Sequence, residues 1–261
     1  MSIEFLRPLF QNGVSVNKLG INYQKTNVSF NGELTSDRFE SNSTNRYTSE
    51  FYLRKAIQTN PKIQSTLNEV GVPVKLHMQQ LNNLLNNHAS DTKRIAEGIA
   101  DNLPFSLKSK INLKAVSDGA YLHDLGKALI PEEILNKNGK LNAFETEIMH
   151  RHSILGYELL KNSDIDKTTL NIIKNHHQNA KKTGYPFADK NFNADLNLQI
   201  VSIADKYSAL TEKRAYKKAM DDKTALTIIY KDVKDGKIHP FVFKALVNYV
   251  NKTSAGVATT Y

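Results

Sequence analysis

Apolar side chains recur at helical intervals along most of this chain. From Val72 onward the pattern is sustained: Leu76, Leu81, Leu84 and Leu85 are helically spaced, and Ile95, Ile99 and Leu103 follow at steps of four. Further helical stretches are expected at about 108–124, 143–161, 166–178, 195–212, 221–234 and 239–251. Pro131, Gly139, the Gly184-Tyr185-Pro186 turn and Pro240 punctuate them. No convincing strand alternation occurs there. A shorter helix is expected over Ser49 to Gln58, stopped ahead of Pro61. Residues 1–47 are different, being rich in Asn, Ser and Thr without a sustained period. The expectation is an all-α protein with a mostly disordered leader over 1–47, at best a fragment of β structure around Asn27 to Asn31. A short helical lead-in over 48–74, a large helical domain over 75–251 and a frayed tail over 252–261 complete it.

Composition narrows the chemistry. The chain has 261 residues and no cysteine, so disulfides and thiolate metal sites are excluded. Any metal must be held by His, Asp, Glu or Asn. No stretch approaches 18 consecutive apolar residues, and Met1 to Asn12 shows no signal-peptide pattern. A soluble cytoplasmic protein without a membrane partner is expected. The 35 basic residues exceed the 26 acidic ones, for a formal charge of +9. Either a lysine-rich solvated surface or a polyanionic partner accounts for that excess. The basic residues are scattered, tryptophan is absent and no aromatic RNA-binding motif occurs. Nucleic acid is therefore discounted as the main partner, and a solvated surface or a phosphorylated small molecule both stay open.

The densest chemical signal is Tyr121-Leu122-His123-Asp124-Leu125-Gly126-Lys127. An adjacent imidazole and carboxylate near a helix end can bind one metal and bridge to a second. That donor set suits Fe, Mn, Zn or Co rather than Ca. Gly126 permits a sharp turn behind the pair, and Lys127 can meet a phosphate oxygen. His152 follows in a helix, with Gly156 four residues on to allow close helix approach. His176 and His177 end another helix, where neighbouring side chains diverge by about 100° and can address different ions. Asp205 interrupts the apolar run from Ile200, where a carboxylate needs a partner or a cation.

The order of these pieces resembles the HD superfamily, and within it the HD-GYP branch. The matching segments are His123-Asp124-Leu125-Gly126-Lys127, Ile130-Pro131-Glu132-Glu133-Ile134-Leu135, His152 to Gly156 and His176-His177. Gly184-Tyr185-Pro186 and Ile203 to Thr211, with Arg214 and Tyr216, complete the set. The resemblance covers roughly 75–251. It implies a helical bundle around a metal site and hydrolysis of the second messenger cyclic di-GMP to pGpG or GMP by a metal-bridged hydroxide. By position it implies metal ligation by His123, Asp124, His152, His176, His177 and Asp205, with Asp124 bridging. It also implies phosphate or guanine contacts by Lys127, Tyr185, Arg214 and Lys217.

Several positions depart from the family pattern. Asp91 stands where an early His is usual, and is expected to ligate as an anionic oxygen donor; His88, one turn back on the same face, is the alternative. Asn87 stands where trinuclear members place a Glu, so two divalent ions, Fe or Mn, are expected. Gln178 replaces a Glu, Lys181-Lys182 replaces Asp-Gly, and Ser208 and Ala215 replace Asp and Pro. Two further functions fit these departures: hydrolysis of another nucleotide, or a catalytically silent nucleotide-binding module. His77, His150 and His239 are expected to be surface or packing residues.

Overall fold

Short polar caps set where seven of the helices begin. The computed structural model describes residues 44–212 and 219–258. After a helical stretch at 44–48 come α1 (Glu50–Thr59) and α2 (Pro61–Asn68). α3 (Met78–Leu84) runs through a wide π-helical turn (Leu85–Ala89) into α4 (Ser90–Asp101). Then follow α5 (Phe105–Lys108), α6 (Leu113–Leu122), a 3-10 turn (Leu125–Leu129), α7 (Glu132–Leu135) and α8 (Ala143–Leu160). α9 (Lys167–Asn175), α10 (Leu196–Thr211), α11 (Asp222–Lys234) and α12 (Pro240–Ala258) complete the bundle. Side chains of Ser49, Asn60, Asn112, Asn142, Asp166, Asp195 and Asp221 each accept a backbone N–H of the helix that follows. Each such cap is worth about 1 kcal/mol. Among the described residues no strand occurs, so the all-α expectation holds. None of their helices is long and apolar enough to cross a membrane.

Three boundaries differ from expectation, each for a local reason. Pro61 stops α1, but it also starts α2, because a proline at the first helical position forfeits no hydrogen bond. The stretch expected as one helix over 108–124 is broken at Asn112, whose side chain caps α6 by accepting from Ala115 N. The last helix continues to Ala258, past the point where fraying was expected.

The lead-in packs into the same core as the rest. Leu53, Ile63 and Leu67 are fully buried and share one apolar cluster with Leu122, Leu125, Leu129, Leu155 and Ile173. Asn60 Nδ2 donates to the backbone oxygen and carboxylate of Glu158 on α8, both at 2.8 Å. α4 packs against α6, α10 and α12 through Ile95, Ala96 and Ile99. At Gly98 the ring of Tyr249 lies where a Cβ would stand. This packing gathers the helix segments that carry the site.

Candidate metal centre

His123 and Asp124 leave the end of α6 and are buried, at 0% and 3% exposure. The 3-10 turn behind them runs hard against α8. A Cβ on Gly126 would come within 1.9 Å of His152 O, so glycine is required there by close approach and not by its backbone angles. That contact brings His152 beside Asp124. The end of α9 supplies His176 and His177, and the middle of α10 supplies Asp205.

The donors form two groups, in each of which the candidate ligand atoms lie within 4.8 Å of one another: Asp124, His152, His176 and His177, and beside them His88, His123 and Asp205. Asp124 faces both. Its Oδ1 lies 3.3 Å from His152 Nε2 and 3.9 Å from His176 Nε2. Its Oδ2 lies 3.3 Å from His123 Nε2 and 3.9 Å from His88 Nε2. Asp205 Oδ1 is 3.0 Å from His88 Nε2 and 3.7 Å from His123 Nε2. His123, His152 and His176 each direct Nδ1 at the carbonyl three residues earlier: Ala120 at 2.7 Å, Met149 at 2.6 Å and Ile173 at 2.9 Å. Those contacts leave Nε2 of all three turned into the cluster.

The electrostatics suit cations. Burial pushes His152 down to about 3 and His177 down to about 4, and holds His176 well below the ordinary imidazole value. These rings are neutral at neutral pH, the form that binds metal. Burial alone would raise Asp124, yet Lys127 and His123 hold it well below the usual carboxylate range. Asp205 is likewise buried but held low, chiefly by its hydrogen bond with His88. Burial opposes a charge on His88, while Asp205 and Glu212 raise it to about 9. His123 Nε2 and Asp124 Oδ1 are buried without a hydrogen-bond partner. Orphaned donors of these types, converging from several helices, fit divalent transition metals.

Six of the seven expected ligands fall into the two groups, and Asp91 does not. Its carboxylate is 41% exposed and paired with Arg94, one turn along α4. His88, buried in the wide turn before α4, stands beside Asp205 instead. Of the two alternatives His88, not Asp91, joins the donor groups: the surface carboxylate is already ion-paired, while the imidazole faces inward. Lys127 Nζ donates to Asp124 Oδ2 at 2.6 Å. The Tyr185 ring is sandwiched between His150, with centroids 3.7 Å apart, and His177, at 4.5 Å. Burial and the two carboxylates raise its phenol well above its usual range, keeping it a donor. Arg214 and Lys217 lie outside the described residues.

The departures near the turn acquire plain roles. Gln178 Nε2 donates to Pro186 O at 2.6 Å and its Oε1 accepts from Gly184 N at 3.1 Å, so the amide ties the turn together. A glutamate could not make the first bond. Lys182 takes a positive φ of 58°, a region that favours glycine, and its ammonium donates to the carbonyls of Asp189 and Lys190. It clips the loop and is not spare charge for a ligand. His77 meets Glu132 at 3.0 Å, and His239 Nδ1 accepts from Phe241 N at 3.2 Å. A cavity of about 840 Å³ opens beside the cluster, bordered by His88, Lys127, Lys137, Asn83, Asn87 and Glu212.

Comparison with known proteins places the chain in a family. The cyclic di-GMP phosphodiesterase response regulator RpfG of Xanthomonas campestris pv. campestris (strain 8004) is 30% identical over 195 residues, 71% of this chain and 50% of that protein. The 3'3'-cGAMP-specific phosphodiesterase 1 of Vibrio cholerae serotype O1 is 30% identical over 160 residues, 61% of this chain and 36% of that protein. The chain thus spans half or less of the length of these relatives. The crystal structure of the HD domain of the L. monocytogenes phosphodiesterase PgpH shares the fold, with a TM-score of 0.50 and 21% identity over 68% of this chain and 98% of that one. Residues 75–242 match the HD domain family, and the chain belongs to it.

Proposed function

We propose that this chain is a metal-dependent phosphodiesterase of the HD-GYP type that hydrolyses cyclic di-GMP to pGpG or GMP. The observation that carries the reading is the pair of adjoining donor groups with the Asp124 carboxylate between them. Relatives described as cyclic di-GMP and 3'3'-cGAMP phosphodiesterases support it. Asp124, His152, His176 and His177 would hold one divalent ion, and His88, His123 and Asp205 a second, with Fe or Mn as the metal. When bound, such a pair would ionise a water near neutral pH and neutralise charge on the phosphoryl group.

The remaining work falls to the chain. Lys127 sits beside Asp124 and reaches a phosphate oxygen by a small swing of its flexible stem. Tyr185, kept protonated, donates to a second oxygen or to the departing hydroxyl. The cavity beside His88 and Lys127 accommodates the nucleotide body. Arg214 and Lys217 would add positive charge to the phosphates. The expected location is the cytoplasm. A silent binding module has less support once His88 stands in for Asp91.

The test is hydrolysis of cyclic di-GMP by protein purified anaerobically and loaded with Fe(II) or Mn(II), with bound metal counted in the same sample. Turnover with two metals per chain is expected. Two metals without turnover would move the substrate to 3'3'-cGAMP or another nucleotide, and no bound metal would leave the silent module.

A further inference from the structure

The far side of His88 is built unlike that of three other cluster histidines. His123, His152 and His176 lean on backbone carbonyls. His88 leans on side chains: Ser208 Oγ lies 3.2 Å from its Nδ1, and Glu212 Oε2 lies 3.5 Å from the same nitrogen. Ser208 Oγ is also 3.5 Å from Asp91 Oδ2. With Nδ1 protonated, the ring donates to the Ser208 oxygen and toward the Glu212 carboxylate, while the Ser208 hydroxyl donates onward to Asp91. Two of these residues, Asp91 and Ser208, are positions where the sequence departs from the resembling family.

Resting on the proposed function, we infer that Glu212 and the Ser208–Asp91 pair are positioning residues for His88. They fix its Nδ1–H tautomer and hold its Nε2 lone pair toward an ion shared with His123 and Asp205. A carboxylate behind a ligating imidazole also makes the ring a stronger donor. Asp91 then serves the centre from behind a ligand, without touching the ion.

The experiment titrates Mn(II) alone into the metal-free full chain by calorimetry, with His88→Ala and His152→Ala marking the two binding events. Glu212→Gln should weaken by roughly 10–100-fold only the event that His88→Ala removes. Ser208→Ala should weaken the same event, and Glu212→Asp should recover part of the loss. Thermal unfolding of each metal-free variant shows that the fold survives. Unchanged affinity in both Glu212→Gln and Ser208→Ala, or equal weakening of both events, overturns the inference. If His88→Ala leaves both events intact, the ligand assignment itself fails, and the inference with it.

Discussion

On the proposed function, Lys127 separates holding an ion from acting on a substrate. Its ammonium lies 2.6 Å from Asp124 Oδ2, on a side chain that is largely buried. A cation so near the ligands does not favour metal binding, but on that reading it would bring a mobile positive charge to a phosphate oxygen. Lys127→Ala should lower kcat on the order of 10²-fold with metal content unchanged; metal lost in proportion to activity would make its role structural. His123→Ala should remove the ion shared with His88 and Asp205 together with all turnover, as read by elemental analysis and assay. At this scale the sequence was informative where a polar residue had no bland explanation. Asp205 sits within an apolar run, and His123 and Asp124 follow another. It was ambiguous between His88 and Asp91, which share a helix face one turn apart. Only the wide turn at Leu85–Ala89 and the Arg94 partner decide which of them points inward.

Close contact between elements brings the ligands together. The 3-10 turn at Leu125–Leu129 meets α8 where Gly126 and Gly156 face each other, a Cβ on either one reaching the other's backbone nitrogen at 2.5 or 3.3 Å. Gly126→Ala must push the turn off α8. Overpacking of this kind costs roughly 1–3 kcal/mol, about 2–12 °C in a domain of this size, and it should also separate Asp124 from His152. Differential scanning calorimetry paired with metal counting checks both; an unchanged midpoint with full metal content would show that the turn relaxes freely. The long helices were legible because their apolar spacing runs unbroken for many residues. The 3-10 turn was not, because five residues carry no period. α2 was missed because Pro61 ends one helix and begins the next.

On the scale of the whole molecule, the family match begins at residue 75, yet the core begins earlier. Leu53, Ile63 and Leu67 are fully buried against α8 and its neighbours. Burying three such side chains is worth roughly 5–9 kcal/mol, comparable to the whole stability of many domains. A chain starting at residue 75 should therefore be insoluble or unfold far below the full chain, and a soluble truncation with the same melting point would refute this. The metal-free protein should also show a stability maximum near pH 6.5. His152 and His177 have folded values of about 3 and about 4, so below about 6.5 the unfolded chain takes up more protons and stability falls with pH. His88 runs the other way: raised to about 9, its contribution is complete below about 6.5 and is lost as pH rises toward 9. Thermal melts across this range test the dome; stability that climbs steadily on acidification from pH 6.5 to 5 would contradict it.

His123, His152 and His176 are each tethered to a backbone carbonyl one turn back in the chain. An arriving ion therefore meets donors already aimed, and a departing one leaves no slack to take up. Exchange of one metal for another should be a local event that the rest of the bundle does not register. Affinity of such N/O sites rises across the first-row ions from Mn to Cu, so a weaker-binding occupant such as Fe or Mn depends on cellular supply. The chain's activity would then track which metal the cell has to spare.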